Sequence, residues 1–261
     1  MSMNASVGTI YSWLDGVAPF ASQEDFDNAG LQVGHPEDRV KRVLLALDAT
    51  RDVLMEAVEW KADLVIAHHP LLFAPLRSLS RVDYAADLLS GFIREGVALI
   101  AGHTNLDQSD AYSPGAALAR LLGLENVRKA GLYLVLGELK KSLGATELQA
   151  ELTKRLGGPV LCFRGDGDTK TLTTLAIAGG AYSEGFREAF SSGAQALLTG
   201  EVRHHHAVEA AARDIVLFEG GHHMTEAPML APLALGLQEG MNQLQYSVQV
   251  RVSGSLPYRV S

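Results

Sequence analysis

The sequence predicts an α/β fold of two similar pseudo-repeat domains with mostly parallel sheets and a metal site between them. Continuous apolar runs, typical of buried parallel strands, alternate with amphipathic segments. The order of these segments repeats about 132 residues further along the chain. In each half, an apolar run ends in Gly-His, and a carboxylate follows four residues after the histidine, as in His103–Asp107 and His222–Glu226. Alternating helices and strands favour a sheet covered by helices.

The first half begins with an apolar run at 43–47, which predicts a buried strand. Residues 52–61 have the spacing of a helix with one apolar face, and 63–67 predict a second strand. After another helix, a third strand is expected at 97–101. The second and third strands both lead directly into histidines.

The second half repeats this order. Strands are expected at 172–178, 194–198 and 215–218, with a helix at 184–192. We expect this helix to turn three side chains inward: Phe186, Ala189 and Phe190. The last strand leads into Gly221-His222, as the third strand of the first half leads into Gly102-His103.

These elements suggest two domains at 1–127 and 128–232, followed by a C-terminal segment at 233–261 that packs back on the body. Residues 146–156 predict a helix near the start of the second domain. The alternation of apolar and polar residues at 246–252 predicts a half-exposed strand in the C-terminal segment.

The composition is that of an ordinary globular protein, with 47% hydrophobic and 20% charged residues in a chain of 261. Its formal charge of −8 disfavours, without excluding, a nucleic-acid partner. Cys162 is the single cysteine, which excludes a cysteine-rich zinc site and an internal disulfide. The start resembles no secretory signal, and no run has the length of a membrane span, so we expect a cytoplasmic protein without a membrane partner.

Ligands of open α/β sheets bind beyond the carboxyl ends of the strands, where His68, His69, His103 and His222 are all expected. Imidazoles and carboxylates grouped in this way suit Zn, Mn or Fe. Adjacent side chains of a strand point to opposite faces, so His68 and His69 are expected to diverge. A helix from residue 222 places an imidazole and a carboxylate at i and i+4, whereas Asp107 is expected on a loop.

Other polar clusters leave alternatives open. The run His204-His205-His206 fits a metal ligand, a supporting or substrate-contacting group, or an exposed helix start. His35 is expected to be a loop residue, and turn formation alone explains the cluster at 27–31. Gly179-Gly180 fits a phosphate-binding loop only weakly.

The chain resembles the YbgI-like dinuclear metal-binding family, whose members are called GTP cyclohydrolase 1 type 2 homologs. Five motifs carry the resemblance: DNAGLQVG at 27–34, AHHPLLF at 67–73, GHTNLD at 102–107, TGE at 199–201 with His205, and GH at 221–222 with Thr225-Glu226. The chain resembles the short form, which lacks an inserted middle domain. The resemblance implies two similar α/β domains, a toroidal homohexamer and two divalent metal ions per subunit between the domains.

The family's metal ligands correspond to five residues of this chain: His68, His69, Asp107, His222 and Glu226. His103 and His205 match positions near the site and are candidate catalytic proton carriers. Two residues depart from the family pattern, because Glu201 replaces the usual Asp and His223 replaces a common aromatic residue.

Two classes of function follow. The first is a metal-dependent hydrolase in which a metal-activated water acts on a nucleotide-like substrate, as in GTP cyclohydrolase 1 type 2; a phosphodiesterase or another nucleotide hydrolase would use the same centre. The second is a non-catalytic hexameric ring that binds nucleic acid or a protein partner. Zn, Mn, Fe and Co all suit the predicted ligands.

Overall fold

The computed structural model describes residues 4–165 and 170–258. Contacts within the chain divide it into two compact units, Met1–Ser109 with Leu230–Ser261, and Asp110–Met229. The predicted limits, at 127 and 232, therefore differ from those of the contact-based units. The first limit differs because the helix at Pro114–Leu122 packs on strands of the second unit and so belongs to that unit.

The first unit contains a two-stranded ribbon and a five-stranded sheet. Its elements up to residue 109 are β1 (Ala5–Ser6), α1 (Val7–Val17), β2 (Gly30–Val33), β3 (Arg39–Val40), β4 (Arg42–Asp48), α2 (Arg51–Trp60), β5 (Leu64–His69), α3 (Tyr84–Glu95), β6 (Ala98–Ala101) and α4 (Thr104–Asp107). A short 3-10 turn lies at Phe20–Ser22. The predicted strands at 43–47, 63–67 and 97–101 and the helix at 52–61 all correspond to elements of this unit.

The second unit contains a six-stranded sheet. Its elements are α5 (Pro114–Leu122), β7 (Glu125–Lys129), β8 (Val135–Gly144), α6 (Ala145–Leu156), β9 (Leu161–Phe163), β10 (Thr171–Ile177), α7 (Phe186–Ser191), β11 (Ala196–Thr199), α8 (His204–Ala212), β12 (Val216–Glu219) and α9 (His222–Glu226). Two 3-10 turns, Ser183–Gly185 and Ala227–Met229, precede α7 and follow α9.

The C-terminal segment adds α10 (Leu230–Gln243) and β13 (Gln249–Val252) to the first unit. Strand β13 pairs in parallel with β4, so the first sheet has the order β13-β4-β5-β6-β2. Only β2 runs antiparallel to its neighbour in that sheet. Across the described residues, no helix is long and apolar enough to cross a membrane.

The two sheets share a parallel core and differ at their edges, which confirms the predicted α/β class and its internal repeat. Strands β4-β5-β6 and β10-β11-β12 are parallel neighbours in the same order. The register is also shared, because Ala46 faces Ala67 and Ile177 faces Leu198, and both pairs are 21 residues apart. In the second unit, β7, β8 and β9 extend this core with antiparallel pairings.

Helix α7 is shorter than predicted and buries a narrower face. Phe186 and Ala189 lie in the core, but Phe190 is 53% exposed, so its predicted inward orientation is wrong. The helix ends at Ser191, which leaves Phe190 in a terminal turn beyond the buried i, i+3 pair. In the first unit, Val58 of α2 is 42% exposed although it continues the apolar face of Val53 and Leu54.

Candidate metal centre

Three imidazoles converge at the carboxyl edge of the first sheet. His68 and His69 end β5, and His103 follows the neighbouring parallel strand β6 as the N-cap of α4. One ligand nitrogen from each of the three lies within 4.8 Å of the others. The expected divergence of His68 and His69 is therefore replaced by convergence: their ring centroids are 4.8 Å apart, at an interplanar angle of 51°.

An oxygen acceptor holds the Nδ1 atom of each imidazole at 2.8 Å. The acceptors are the Gly102 carbonyl for His68, the Asp48 carboxylate for His69 and the Asp27 carboxylate for His103. Because these oxygens only accept hydrogen bonds, Nδ1 is the donor in each ring, and in the neutral form of such a ring the lone pair is at Nε2. Histidines that bind metals are oriented by such partners.

Asp27 is the most enclosed of these partners, since its side chain is fully buried. Burial opposes its charge, but hydrogen bonds from Thr104 and His103 outweigh burial and lower the pKa of the Asp27 carboxyl. Thr104 donates twice to this carboxylate, from its backbone nitrogen at 3.0 Å and its hydroxyl at 2.5 Å. Burial, followed by the neighbouring His68, lowers the pKa of His103. The pair therefore consists of a carboxylate and a neutral imidazole near neutral pH.

Asp107 supplies a carboxylate to the same cluster. It was expected on a loop but is the last residue of α4, which begins one residue after His103. Its Oδ1 atom lies 3.5 Å from Nε2 of His68, and its side chain is 22% exposed. The first unit thus brings together His68, His69, His103 and Asp107, three of them predicted metal ligands.

The second unit contributes an imidazole between two carboxylates. Oε1 of Glu201 lies 2.7 Å from Nδ1 of His222, and Oε2 of Glu226 lies 3.2 Å from Nε2. The i, i+4 arrangement of His222 and Glu226 is present, because α9 spans these two residues. Glu201, which departs from the usual Asp of the resembled family, still places a carboxylate on the imidazole.

The backbone around this pair is packed so closely that only glycine fits. Gly180 has φ of +62°, and a Cβ atom there would lie 2.2 Å from Oε1 of Glu226. A Cβ at Gly200 would lie 2.7 Å from the Gly180 carbonyl oxygen and from Oγ1 of Thr225. The Gly180 amide donates to Thr225 Oγ1, which does not support the phosphate-loop interpretation of Gly179-Gly180. These glycines instead make room for Glu226, which is 4% exposed.

The His204-His205-His206 run begins α8, where His204 and His205 are exposed. His206 is buried, and its Nδ1 atom lies 2.9 Å from the Ser183 hydroxyl. The rings of His205 and His206 are in contact, with centroids 4.2 Å apart. The contacts of the described residues thus place His205 beside His206, and its catalytic role stays a prediction.

Sequence reasoning missed Asp27 and Asp48, the carboxylates that orient His103 and His69. Asp27 lies in a cluster that turn formation alone explained. Asp48 ends β4, directly opposite His69 in the parallel ladder. Its position at the end of the predicted strand before the one that carries His69 is the signal that could have identified it.

The donor set fits a divalent transition metal. Imidazole nitrogen suits Zn, Cu, Fe and Ni, whereas Mg and Ca prefer sites made of oxygen alone. Neutral imidazoles with Nδ1 already bonded need no proton loss before their Nε2 atoms bind a metal. The described residues therefore contain candidate metal-binding groups of histidine with glutamate or aspartate.

Known proteins resemble the chain over nearly its full length. A GTP cyclohydrolase 1 type 2 homolog of Streptomyces coelicolor is 32% identical over 255 residues, 92% of this chain and 88% of that protein. The crystal structure of a hypothetical protein of Staphylococcus aureus covers 99% of this chain and all of its own, with a TM-score of 0.91 and 24% identity. The structure of protein ybgI, of unknown function, covers 95% of this chain and 97% of its own, with a TM-score of 0.81 and 25% identity.

The family profile of Duf34/NIF3 (NGG1p interacting factor 3) matches residues 5–256. This match includes every strand of both sheets. It also includes all the candidate site residues: His68, His69, His103, Asp107, Glu201, His222 and Glu226. The resemblance inferred from the motifs is thereby confirmed, and the chain belongs to the Duf34/NIF3 family.

Proposed function

We propose that this protein is a metal-dependent hydrolase that acts on a nucleotide-like substrate. The observation that carries the proposal is the cluster of His68, His69 and His103, whose Nδ1 atoms are all held by oxygen acceptors. Its similarity to a GTP cyclohydrolase 1 type 2 homolog supports the nucleotide as the substrate class.

The residues that would hold the metal are His68, His69, Asp107, His222 and Glu226. We propose two divalent ions per subunit. These five candidate donors number more than the four that a single tetrahedral site needs. A bound divalent ion would supply Lewis acidity toward water and toward a phosphate or ring oxygen of the substrate.

His103 is suited to move a proton. Asp27 fixes its Nδ1–H, so the lone pair at Nε2 has one defined direction. Asp27 is held in turn by Thr104, whose hydroxyl also accepts a hydrogen bond from the Glu24 backbone at 3.0 Å. This chain of contacts keeps the imidazole in one orientation, as a general base requires.

The first test is metal content. His68→Ala and Glu226→Ala should each lose bound metal, measured by mass spectrometry of elements after dialysis, while circular dichroism shows an unchanged fold. His204→Ala is the control, because this exposed histidine lies at the start of α8. Full metal occupancy in both site variants would refute the assignment.

The second test is a hydrolysis screen of the metal-loaded protein over GTP, dinucleotides and short oligonucleotides. Turnover that Asp107→Ala abolishes assigns the activity to this site. An absence of turnover with Zn, Mn, Fe and Co would instead favour a non-catalytic binding role.

We also propose that the chain assembles as a homohexamer, which its resemblance to the YbgI-like proteins supports. Sedimentation velocity should then give a mass six times that of the 27.9 kDa chain. A monomer or dimer at all concentrations would contradict this assembly.

A further inference from the structure

Two exposed phenyl rings stand beside the imidazole cluster, and neither the fold nor the metal donors explain them. Phe73 is 52% exposed and Phe26 is 65% exposed. Their ring centroids are 6.4 Å apart, at an interplanar angle of 59°. Phe73 also contacts His103, with centroids 6.1 Å apart and the rings nearly perpendicular, at 80°. Large apolar side chains exposed together beside a polar cluster commonly mark a binding surface.

The loop that carries Phe73 is held in place by side chains. The Asn28 amide donates to the Leu72 carbonyl at 2.5 Å, and the Leu72 amide donates to Oε1 of Gln32 at 3.1 Å. Gln32 also donates from Nε2 to the Asn28 carbonyl at 2.9 Å, which closes the set of contacts. The backbone of Leu72, next to Phe73, is therefore held at both its amide and its carbonyl, although the Phe73 ring itself is half exposed.

Three consecutive residues connect these features. Phe26 supplies one ring, Asp27 orients His103, and Asn28 anchors the residue before Phe73. The segment thus couples the position of the two rings to the position of the imidazole. A purely structural role would not require two phenyl rings to remain in solvent at this point.

We propose that Phe26 and Phe73 form a stacking surface for the planar heterocycle of the substrate, the base of a nucleotide. The inference rests on the proposed function and adds the residues that recognise the base. An aromatic face binds every nucleobase, because each base has a π-face of its own. The amide groups of Asn28 and Gln32 are engaged with the backbone, so they do not select one base by its edge. Because a purine offers a larger ring face for contact than a pyrimidine, the surface should prefer purines, with little distinction between guanine and adenine.

Binding assays test this surface separately from hydrolysis. Isothermal titration calorimetry of the metal-loaded protein is run with GTP, ATP, CTP and inorganic triphosphate, which carries no base. Phe73→Ala should weaken GTP and ATP binding about 5- to 20-fold, near the lower part of the range for loss of one stacking contact. Triphosphate binding should not change, because the phosphate contacts remain. Phe73→Tyr should restore nucleotide binding.

Phe190→Ala is the matched control. Phe190 is 53% exposed, nearly the same as Phe73, but belongs to the second unit. Unchanged nucleotide binding in Phe73→Ala would overturn the inference, as would nucleotides that bind the unsubstituted protein no more tightly than triphosphate. An equal loss of triphosphate binding would also overturn it, because the ring would then act on the phosphate site. If Phe73→Ala lowers the sedimenting mass without changing nucleotide affinity, the rings cover a second copy of the chain and the inference fails.

Failure of this inference is distinct from failure of the proposed function. A protein that hydrolyses GTP with the same affinity in Phe73→Ala keeps the proposed function and loses the stacking surface. A protein that binds purine nucleotides through Phe73 but never hydrolyses them keeps the surface and loses the hydrolase.

Discussion

Gly180→Ala should destabilise the second unit, because the new methyl group would overlap the Glu226 carboxylate. Gly180 has φ of +62°, and its Cβ would lie 2.2 Å from Oε1 and 3.2 Å from Cδ of Glu226. The left-handed backbone costs a residue with a Cβ about 1–2 kcal/mol. Overlap with a packed neighbour costs a further 1–3 kcal/mol or so, as in other overpacked sites. The free energy of unfolding should therefore fall by about 2–5 kcal/mol.

Gly157→Ala separates these two contributions. Gly157 also has a positive φ, +75°, but a Cβ there meets nothing within 4 Å. It lies in the same unit, as the C-cap of α6. Its substitution should show only the backbone cost of about 1–2 kcal/mol. This cost is reduced by the stabilisation that comes from the lower conformational entropy of the unfolded chain. The difference between the two variants should thus be about 1–3 kcal/mol, the cost of the overlap.

Urea unfolding of the metal-free proteins measures this difference, since lost metal binding then makes no contribution. Glu226 can also relieve the overlap by rotating away, in which case the stability loss shrinks and metal affinity falls. A Gly180→Ala protein that matches Gly157→Ala in stability and retains the metal affinity of the unsubstituted chain would refute the reasoning.

Two further predictions concern the first unit. Asp48→Asn should weaken metal binding about 10- to 100-fold, because it removes the carboxylate that orients His69. Competition with a chelating dye measures the affinity, and Asp52→Asn, at an exposed position, is the control. Equal metal affinities of the two variants would contradict the orienting role of Asp48. Burial opposes the charge of Glu56, but hydrogen bonds from Ser253, Gly254 and Ser255 outweigh burial and lower the pKa of its carboxyl. Because that pKa is lower in the folded state, its stabilisation is present above the unfolded pKa and is lost as the pH falls through the folded pKa. Thermal unfolding from pH 6 to 3 should show this loss, and Glu56→Gln should flatten it; identical pH profiles would contradict it.

The parallel core of each sheet was predictable because its strands are continuous apolar runs. Residues 43–47 and 64–67 are buried, as expected of strands covered on both faces of a sheet. The helices between them followed from their amphipathic spacing. These segments carry their structural signal locally, so the strands and helices of the core could be placed from the sequence.

Strands β2 and β8, which lie outside the parallel cores, were missed for the opposite reason. Strand β2 begins at Gly30, with φ of +129°, inside a cluster of turn-forming residues. Strand β8 extends over ten residues, through the exposed Lys140 and Lys141, and lacks a continuous apolar run. The tail at 246–252 was predicted as a strand, but its parallel pairing with β4 depends on contacts some 200 residues away in the chain. Such pairings have no local signature.

At the candidate site, the sequence identified the histidines but not the aspartates that hydrogen-bond to them. Histidines at the ends of apolar runs stand out in a sequence because imidazole is rare there. Asp27 is 76 residues from His103, and Asp48 is 21 residues from His69. An aspartate among turn residues has a sufficient local explanation, so only the tertiary contact shows its second role.

Equivalent positions of the internal repeat carry different side chains in the two halves. Both halves pair residue i of the first core strand with residue i+21 of the second, as in Asp48 with His69. Adding 132 to these positions gives Gly180 and Glu201, and the amide of Glu201 donates to the Gly180 carbonyl at 3.1 Å. At these positions the second half thus has Glu201 where the first half has His69, and Gly180 where the first half has Asp48.

The loss of a side chain at position 180 and the presence of Glu226 depend on each other. In the first half, Asp48 places its carboxylate on His69 from the neighbouring strand. In the second half, Glu226 occupies the space over Gly180 and places its own carboxylate on His222 from the following helix. A Cβ at 180 would overlap the Glu226 carboxylate, so a side chain equivalent to Asp48 would require Glu226 to move. Gly180 thus accompanies the difference between the imidazole cluster of the first half and the two carboxylates that face His222 in the second.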